Sequence, residues 1–238
     1  MRIAVLTDIH ANILALEAVI KDIRVQNIDN VVFLGDLVMT GPRPQEAFDA
    51  LFLLEPVIWI KGNTDDWFSD INESYIPKDE REKFFKTLTL WAENRIDTKV
   101  KKQLHEKPIT ADYSIENMNI IFCHGSPFSY SQAIHYEMEK KELEILASQL
   151  KSPIIICGHT HVRFSMNYKG IVIQNFGAVS IPSNDFCKDA RYGIIQIENT
   201  GAVGYINREC SYDVNKFFKD MKQLQYPGME FIKGKFGV

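Results

Sequence analysis

Side chains that commonly bind metal ions follow five short apolar segments of this sequence, usually beside a glycine. Asp8 and His10 stand two residues apart, and His159 and His161 have the same spacing. Residues two apart in an extended chain point to the same side, so both members of each pair can face one site. The candidate metal ligands are Asp8, His10, Asp36, Asn63, His124, His159 and His161.

Seven donors are too many for one tetrahedral ion, but they suit two ions that share a bridging carboxylate. Four of the six histidines lie in this set, whereas His105 and His135 have no neighbouring ligand and are interpreted as surface or structural residues. Mixed imidazole and carboxylate donors favour Mn, Fe, Zn, Co or Ni over Ca or Mg, with Mn the expected ion for activity. The pattern therefore predicts a two-metal centre.

The segments before these ligands are typical of buried strands, because they are short, rich in β-branched residues and close to turn formers. In α/β proteins, ligands bind beyond the carboxyl ends of such strands, so the strands would bring the candidate ligands together. The predicted strands are Ile3–Leu6, Val31–Leu34, Val57–Ile60, Asn119–Cys123, Ile154–Cys157, Ile171–Gln174, Ile194–Ile197 and Ala202–Ile206.

Apolar residues at helical spacing predict helices between these strands. The early β-α-β-α-β order predicts parallel strands with right-handed crossovers, and the run over 171–206 predicts an antiparallel meander. Mixed sheets with helices outside them make an α/β layered sandwich. The helix that ends at Pro227 and Gly228 is expected to pack on the outer face, or equally to support a homodimer. The helices are predicted near 12–23, 44–54, 78–105, 137–150 and 214–224.

Composition excludes several classes of protein. The 238 residues are 45% hydrophobic and 24% charged, without a repeat or linker, which predicts a single globular domain over residues 1–238. The net charge of −4 gives no general attraction to nucleic acid or to an anionic membrane. The four cysteines form no CxxC pair, and the N-terminus lacks the pattern of a secretion signal, so a cytoplasmic protein is expected.

The ordered motifs Asp-x-His, Gly-Asp, Gly-Asn-x-Asp, His-Gly and Gly-His-x-His over 8–161 resemble the calcineurin-like metallophosphoesterase superfamily. Residues 35–42 are similar to its small bacterial branch of phosphodiesterases and diadenosine tetraphosphate hydrolases. Residues 175–180 resemble that branch's Asn-Pro-Gly-Ser connection, from which Phe176 and Ala178 depart. The resemblance implies a four-layer αββα sandwich, with two mixed β-sheets flanked by helices.

The resemblance also implies a mechanism and a role for each ligand. The protein would be a dinuclear metal-dependent phosphoesterase in which a metal-bridging hydroxide attacks small phosphodiesters, nucleotides or dinucleoside polyphosphates. One ion would be held by Asp8, His10 and His161, the other by Asn63, His124 and His159, with Asp36 bridging the two.

One position departs from the family pattern. Many relatives carry Gly-Asn-His-Asp/Glu, whereas this chain has Thr64 at the histidine position. A threonine hydroxyl can hydrogen-bond a phosphate oxygen but cannot act as a general acid near pH 7. We therefore expect a preference for substrates with good leaving groups, such as phosphoanhydrides, nucleotides or aryl esters. The candidate catalytic residues are Asp36, Asn63, Thr64 and Asp65.

Several residues beside the ligands have more than one interpretation. Asn12 either caps the first helix or helps to present the helix N-terminus to a phosphate, and Arg43 is either a phosphate clamp or a solvated loop residue. Asp65 is expected to orient a ligand imidazole. Trp67 and Phe68 either stack on a nucleobase or pack in the interior.

Two other functions remain open. A binding scaffold would keep the fold without turnover, but relatives of that kind lose ligands and this chain retains all seven. A nuclease is disfavoured by the net charge of −4 and by the lack of a basic stripe with interleaved aromatic residues. The expected partner is a small phosphorylated substrate, with nucleotides among the candidates, rather than nucleic acid or a membrane.

Overall fold

A computed structural model of the protein describes residues 1–115, 118–150, 153–183 and 185–238. In this part of the chain the strands are β1 (Arg2–Leu6), β2 (Asn30–Phe33), β3 (Ile58–Trp59), β4 (Thr110–Ile115), β5 (Met118–Cys123), β6 (Ile154–Cys157), β7 (Phe164–Tyr168), β8 (Ile171–Asn175), β9 (Ala190–Ile197) and β10 (Val203–Cys210). The helices are α1 (Ile13–Ile23), α2 (Pro44–Phe52), α3 (Trp67–Asp70), α4 (Glu80–Glu93), α5 (Thr98–His105), α6 (Lys140–Gln149), α7 (Val214–Gln223) and α8 (Met229–Lys235). None of the helices in these described ranges has the length and apolar character that crossing a membrane requires.

The strands form two mixed five-stranded sheets. The first has the order β10-β9-β1-β2-β3, in which β1, β2 and β3 run parallel and β9 is antiparallel to both of its neighbours. The second has the order β4-β5-β6-β8-β7, in which β5, β6 and β8 run parallel. The parallel strands of each sheet therefore end at a common edge, which is where the candidate ligands are expected.

Successive side chains of each strand point to opposite faces of the sheet, which divides the interior into layers. Ile3 and Val5 of β1 face the second sheet, whereas Ala4 and Leu6 face α1 and α2. In the second sheet, Ile156 lies in the core between the sheets and Cys157 packs on the opposite face with residues of α6. Helices thus cover the outer face of each sheet, which confirms the four-layer αββα sandwich.

The predicted antiparallel meander over 171–206 is wrong. Strand β8 belongs to the second sheet and runs parallel to β6, whereas β9 belongs to the first sheet and pairs with β1. Only β9 and β10 of that run form an antiparallel hairpin with each other. The chain crosses between the sheets after β8, where Phe176 fills the core between them. Gly193 makes room for it, since a Cβ there would lie 2.0 Å from the Phe176 ring.

The C-terminal helices bury their apolar faces within the same chain. Phe217 and Met221 of α7 pack with Ile232 of α8 and with Leu88 of α4 in one buried cluster. The apolar stripe of α7 that suggested a homodimer is therefore covered. Helix α8 was not predicted, because it has only seven residues and follows the Pro227-Gly228 break.

Candidate metal centre

The carboxyl ends of five parallel strands bring the candidate ligands to one place. Asp8 and His10 follow β1, while Asp36 and Asn63 follow β2 and β3 of the same sheet. His124 and the 159/161 pair follow β5 and β6 of the second sheet. These loops surround the base of a cavity of about 660 Å³, which is lined by His10, Asp36, Asn63, His159 and His161, among other residues. Asp8 and His124 lie beneath it and are fully buried.

The backbone at this edge is held in a conformation that non-glycine residues seldom adopt. This conformation costs about 1–3 kcal/mol of folding free energy per residue. It persists only where the surrounding structure imposes it, often at functional sites. Gly35, at φ +95°, directly precedes Asp36. It packs so closely on the loop after β3 that a Cβ would lie 2.1 Å from the amide nitrogen of Gly62. The candidate ligands with positive φ are Asp8 (55°), His10 (48°), Asp36 (60°), His159 (66°) and His161 (59°).

One group of donor atoms surrounds Asp8. The Asp8 Oδ1 atom is buried and has no hydrogen-bond partner among the described residues. It lies 3.3 Å from His161 Nε2 and 3.8 Å from His10 Nε2, and these two nitrogens are 3.1 Å apart. The Oδ2 atom is held in place by the Thr7 hydroxyl, at 2.8 Å, and by the backbone N–H of His159, at 3.1 Å.

A second group surrounds His124. Its Nε2 atom lies 3.5 Å from Asp36 Oδ2 and 3.2 Å from the side-chain oxygen of Asn63. Asp36 Oδ2 is also 3.9 Å from His10 Nε2, so this carboxylate lies between the two groups. The His159 ring packs edge-on against that of His124, with the centroids 5.1 Å apart.

Three of the imidazoles are oriented by backbone carbonyl groups, which can only accept a hydrogen bond. His10, His124 and His161 therefore donate from Nδ1, which leaves each Nε2 facing the site. The acceptors are the carbonyl oxygens of Met39 at 3.1 Å, Leu34 at 2.8 Å and Ile181 at 2.6 Å, respectively.

This donor set fits metal ions. His10 Nε2 and His161 Nε2 face each other 3.1 Å apart, and the Asp8 Oδ1 atom beside them has no hydrogen-bond partner among the residues described. A cation among these three atoms would accept an electron pair from each of them. Ligands about 2.1 Å from one ion are about 3.0–3.4 Å apart at octahedral or tetrahedral angles, which resembles the separations of 3.1 and 3.3 Å around Asp8.

The electrostatics of the site favour cations. Burial alone lowers the pKa of His124, but the carboxylates of Asp36 and Asp8 reverse this effect and raise it to about 9. Burial raises the pKa of Asp36, yet the adjacent His124 outweighs it and lowers that pKa to about 2. Burial lowers the pKa of His10 to about 4. Burial raises the pKa of Asp8 too, but the neighbouring His161 and His124 outweigh this effect and lower that pKa. Both carboxylates are thus charged at neutral pH, and protons and metal ions compete for the imidazoles.

Asp65 has a different role from the one predicted. Its carboxylate accepts hydrogen bonds from the backbone N–H groups of Asp36 and Gly62 at 2.8 and 2.9 Å, and of Leu37 at 3.0 Å. It contacts backbone rather than a ligand imidazole, because the loop after β3 folds back on the loop after β2. Asp65 therefore clamps two ligand-bearing loops together. Thr64 donates its backbone N–H to Asp36 Oδ1 at 2.9 Å.

The structure does not favour phosphate binding by the two predicted substrate residues. Asn12 is fully buried and caps α1 by accepting from the Ala15 N–H, while its amide donates to Ser180 and Tyr212. Arg43 donates through Nε and Nη2 to Asp220 of α7, and through Nη1 to Glu46. The donors of both side chains are thus engaged within the protein.

Several residues at the site were not predicted. Asn175 donates to the Gly158 carbonyl oxygen at 2.8 Å and so positions the loop that carries His159 and His161. His135, interpreted from the sequence as a surface or structural residue, is exposed and lines the cavity. His105 pairs with Asp66 at 2.8 Å, as a structural residue would.

Comparison with known proteins agrees with the family resemblance of the sequence motifs. The sequence profile of the calcineurin-like phosphoesterase superfamily domain matches residues 1–200. The uncharacterized protein MJ0912 of Methanocaldococcus jannaschii is 26% identical over 230 residues, which cover 94% of this chain and 87% of that protein.

Two solved structures share the fold along almost their whole length. A metallophosphoesterase from Sphaerobacter thermophilus is similar with a TM-score of 0.77 and 24% identity, over 100% of this chain and 98% of that one. The hypothetical protein PH1004 from Pyrococcus horikoshii is similar with a TM-score of 0.81 and 18% identity, over 99% and 97% of the two chains.

Proposed function

Since the chain belongs to the calcineurin-like phosphoesterase superfamily and is a metal-dependent hydrolase of phosphoric esters, we propose that it uses two divalent transition-metal ions to hydrolyse small phosphodiesters, nucleotides or phosphoanhydrides. The observation that supports two ions is the pair of donor groups. One contains Asp8, His10 and His161, the other contains Asp8, Asp36 and His124, and Asp36 Oδ2 lies between imidazoles of both.

The protein's own residues prepare the site for a phosphoryl group. Asp8, His10 and His161 would hold one ion, Asn63, His124 and His159 the other, and Asp36 would contact both. When bound, such ions polarise phosphoryl oxygens and lower the pKa of an attacking water. Backbone carbonyl groups fix three of the four imidazoles, those of His10, His124 and His161, with Nε2 toward the site, so little reorganisation is needed when ligands bind. The cavity leaves one side of the site open to a substrate.

Metal removal tests this proposal. Protein treated with a chelator is expected to lose hydrolysis of bis(p-nitrophenyl) phosphate and to recover it on addition of Mn²⁺, with two ions per chain by elemental analysis. The physical reason is that the substrate's negative charge has no cation to bind at the ligand groups without metal. Full activity in metal-free protein would contradict the proposal, and a stoichiometry of one would restrict it to a mononuclear site.

The environment of Thr64 leads to a prediction about the leaving group. The hydroxyl of this residue is buried and has no hydrogen-bond partner within the described residues, so it is not placed to protonate an alkoxide. General acid catalysis is worth roughly 10²–10⁴-fold. Wild-type protein is therefore expected to hydrolyse methyl p-nitrophenyl phosphate at least about 10²-fold faster, in kcat/KM, than dimethyl phosphate.

A control is needed because the His135 imidazole lines the same cavity. The variant His135→Gln should keep the aryl preference unchanged. A selective loss of alkyl ester hydrolysis in His135→Gln would identify that residue as the proton donor, and equal rates for both esters in wild type would show that an acid acts elsewhere.

We further propose a reducing, cytoplasmic location. The four cysteines are free, and Cys123, Cys157 and Cys210 are buried. Burial raises the pKa of the Cys157 thiol to about 12, which makes this thiol unreactive.

A further inference from the structure

The cavity above the ligand groups has a second, aromatic part that comes from helices rather than from the sheets. This part is lined by Trp67 of α3, Phe85 of α4, and Phe231 and Lys235 of α8. Helix α8 lies beyond residues 1–200, the part of the chain that the family profile matches. The cavity is thus completed by an element outside the part of the chain that the family profile matches.

The aromatic rings of this part contact one another and remain partly exposed. The ring of Trp67 contacts that of Phe85, with the centroids 4.8 Å apart and the planes inclined at 36°. Phe231 contacts Phe84 at 5.5 Å, yet 41% of its surface is exposed, so core packing alone does not explain a phenylalanine there. Flat apolar faces next to a phosphate site suit an aromatic ring attached to that phosphate.

Charge supports the same conclusion. Lys235 lies in the last turn of α8, and its Nζ atom is 5.6 Å from the centroid of the Phe231 ring. A ligand beside the exposed part of Phe231 therefore meets an apolar ring and a positive charge together. The cavity volume of about 660 Å³ lies within the range of roughly 300–1,000 Å³ that binds small molecules.

We propose that Trp67 and Phe231 form a subsite for the nucleobase of a nucleoside phosphate ester, and that Phe231 determines specificity for such substrates. The proposal rests on the phosphoesterase function above, because the ester phosphate occupies the ligand groups while the base lies between the helices. The base is attached to the part of the substrate that still carries the phosphate after the ester bond is cleaved. The positive charge of Lys235 favours binding of this anionic part.

A matched pair of substrates tests the subsite. Thymidine 5′-(p-nitrophenyl) phosphate and methyl p-nitrophenyl phosphate release the same p-nitrophenolate and differ in the retained group. Base stacking is worth about 1–3 kcal/mol by alanine substitution, which is about 5- to 150-fold. Phe231→Ala is expected to lower kcat/KM for the thymidine ester by about 10-fold or more, mainly through KM, and to change that for the methyl ester by less than about 2-fold.

Control variants separate the subsite from the stability of α8. Phe231→Trp should retain the preference for the thymidine ester, because it restores a flat face, whereas Phe231→Leu should lose it while keeping apolar volume. Phe52→Ala removes another exposed phenylalanine, which lies on α2 and stacks on Phe48, and should leave both substrates unchanged. The proposal would be overturned if Phe231→Ala lowered kcat/KM for both esters by the same factor, or if it left kcat/KM for both unchanged.

A binding measurement distinguishes failure of the subsite from failure of the phosphoesterase function. Calorimetry on Mn²⁺-loaded protein should show that thymidine 5′-monophosphate binds at least about 10-fold more tightly than methyl phosphate, and that Phe231→Ala abolishes the difference. If wild-type protein hydrolyses neither ester, the proposed function fails, while this comparison still decides the subsite. If it hydrolyses both but binds the two phosphates equally, only the subsite is rejected.

Discussion

Replacement of Asp36 by alanine is expected to reduce phosphoesterase activity by about 10³-fold or more and to lower bound metal from two ions to at most one per chain. Asp36 Oδ2 lies 3.5 Å from His124 Nε2 and 3.9 Å from His10 Nε2, so its removal takes a negative donor from between both groups. The like-charged cations would then repel each other with one fewer carboxylate between them. Elemental analysis and hydrolysis of bis(p-nitrophenyl) phosphate measure the two effects.

Two controls separate the role of the Asp36 charge from that of its hydrogen bond. Asp36→Asn keeps an oxygen that can accept from the Thr64 N–H, so it should preserve folding while losing most of the metal and activity. Asp70→Ala, at the exposed end of α3, should behave as wild type. If Asp36→Ala retained two ions and full activity, the dinuclear arrangement would be wrong.

Asp65→Ala is expected to lower the free energy of unfolding by about 3–5 kcal/mol. The substitution leaves three buried backbone N–H groups, those of Asp36, Leu37 and Gly62, without an acceptor. Each such loss costs about 1–3 kcal/mol, partly recovered where water enters. Denaturant unfolding of the metal-free proteins measures the change without a contribution from metal binding.

Loss of the Asp65 carboxylate should also weaken metal binding at the site. Because this carboxylate joins the loops after β2 and β3, metal affinity should fall in Asp65→Ala even at temperatures where the protein remains folded. Asp65→Asn, which retains one acceptor oxygen, should be intermediate in stability. An unfolding free energy within about 0.5 kcal/mol of wild type would show that the three amides find other partners.

The layered fold and the convergence of the seven candidate ligands are accessible from sequence because both follow from local patterns. A short apolar run ending in Asp or His beside glycine, repeated after parallel strands, places polar side chains at one edge whatever the details of packing. The motif spacing in 8–161 adds the family resemblance, and with it the expected grouping around Asp36.

Features that depend on distant partners could not be predicted in this way. The guanidinium of Arg43 binds Asp220, which lies 177 positions away, and nothing in the local sequence indicates that pairing. The partner strands of β8 and β9 are likewise undetermined by their composition, since apolar β-branched runs suit either sheet. Asp65 was expected to meet an imidazole, but the fold-back of its own loop brings backbone amides within reach first.

The placement of β1 between β2 and β9 has a consequence for biosynthesis. The ribosome delivers β1 and β2 early, whereas the antiparallel neighbour of β1 is formed by Ala190–Ile197. Until that stretch emerges, the nascent chain carries an apolar strand with one unpaired edge, which is the kind of surface that recruits chaperones or aggregates. The first sheet can therefore be completed only after residues 190–197 have been made, and the loops that carry the candidate ligands at its edge gain their full support only then.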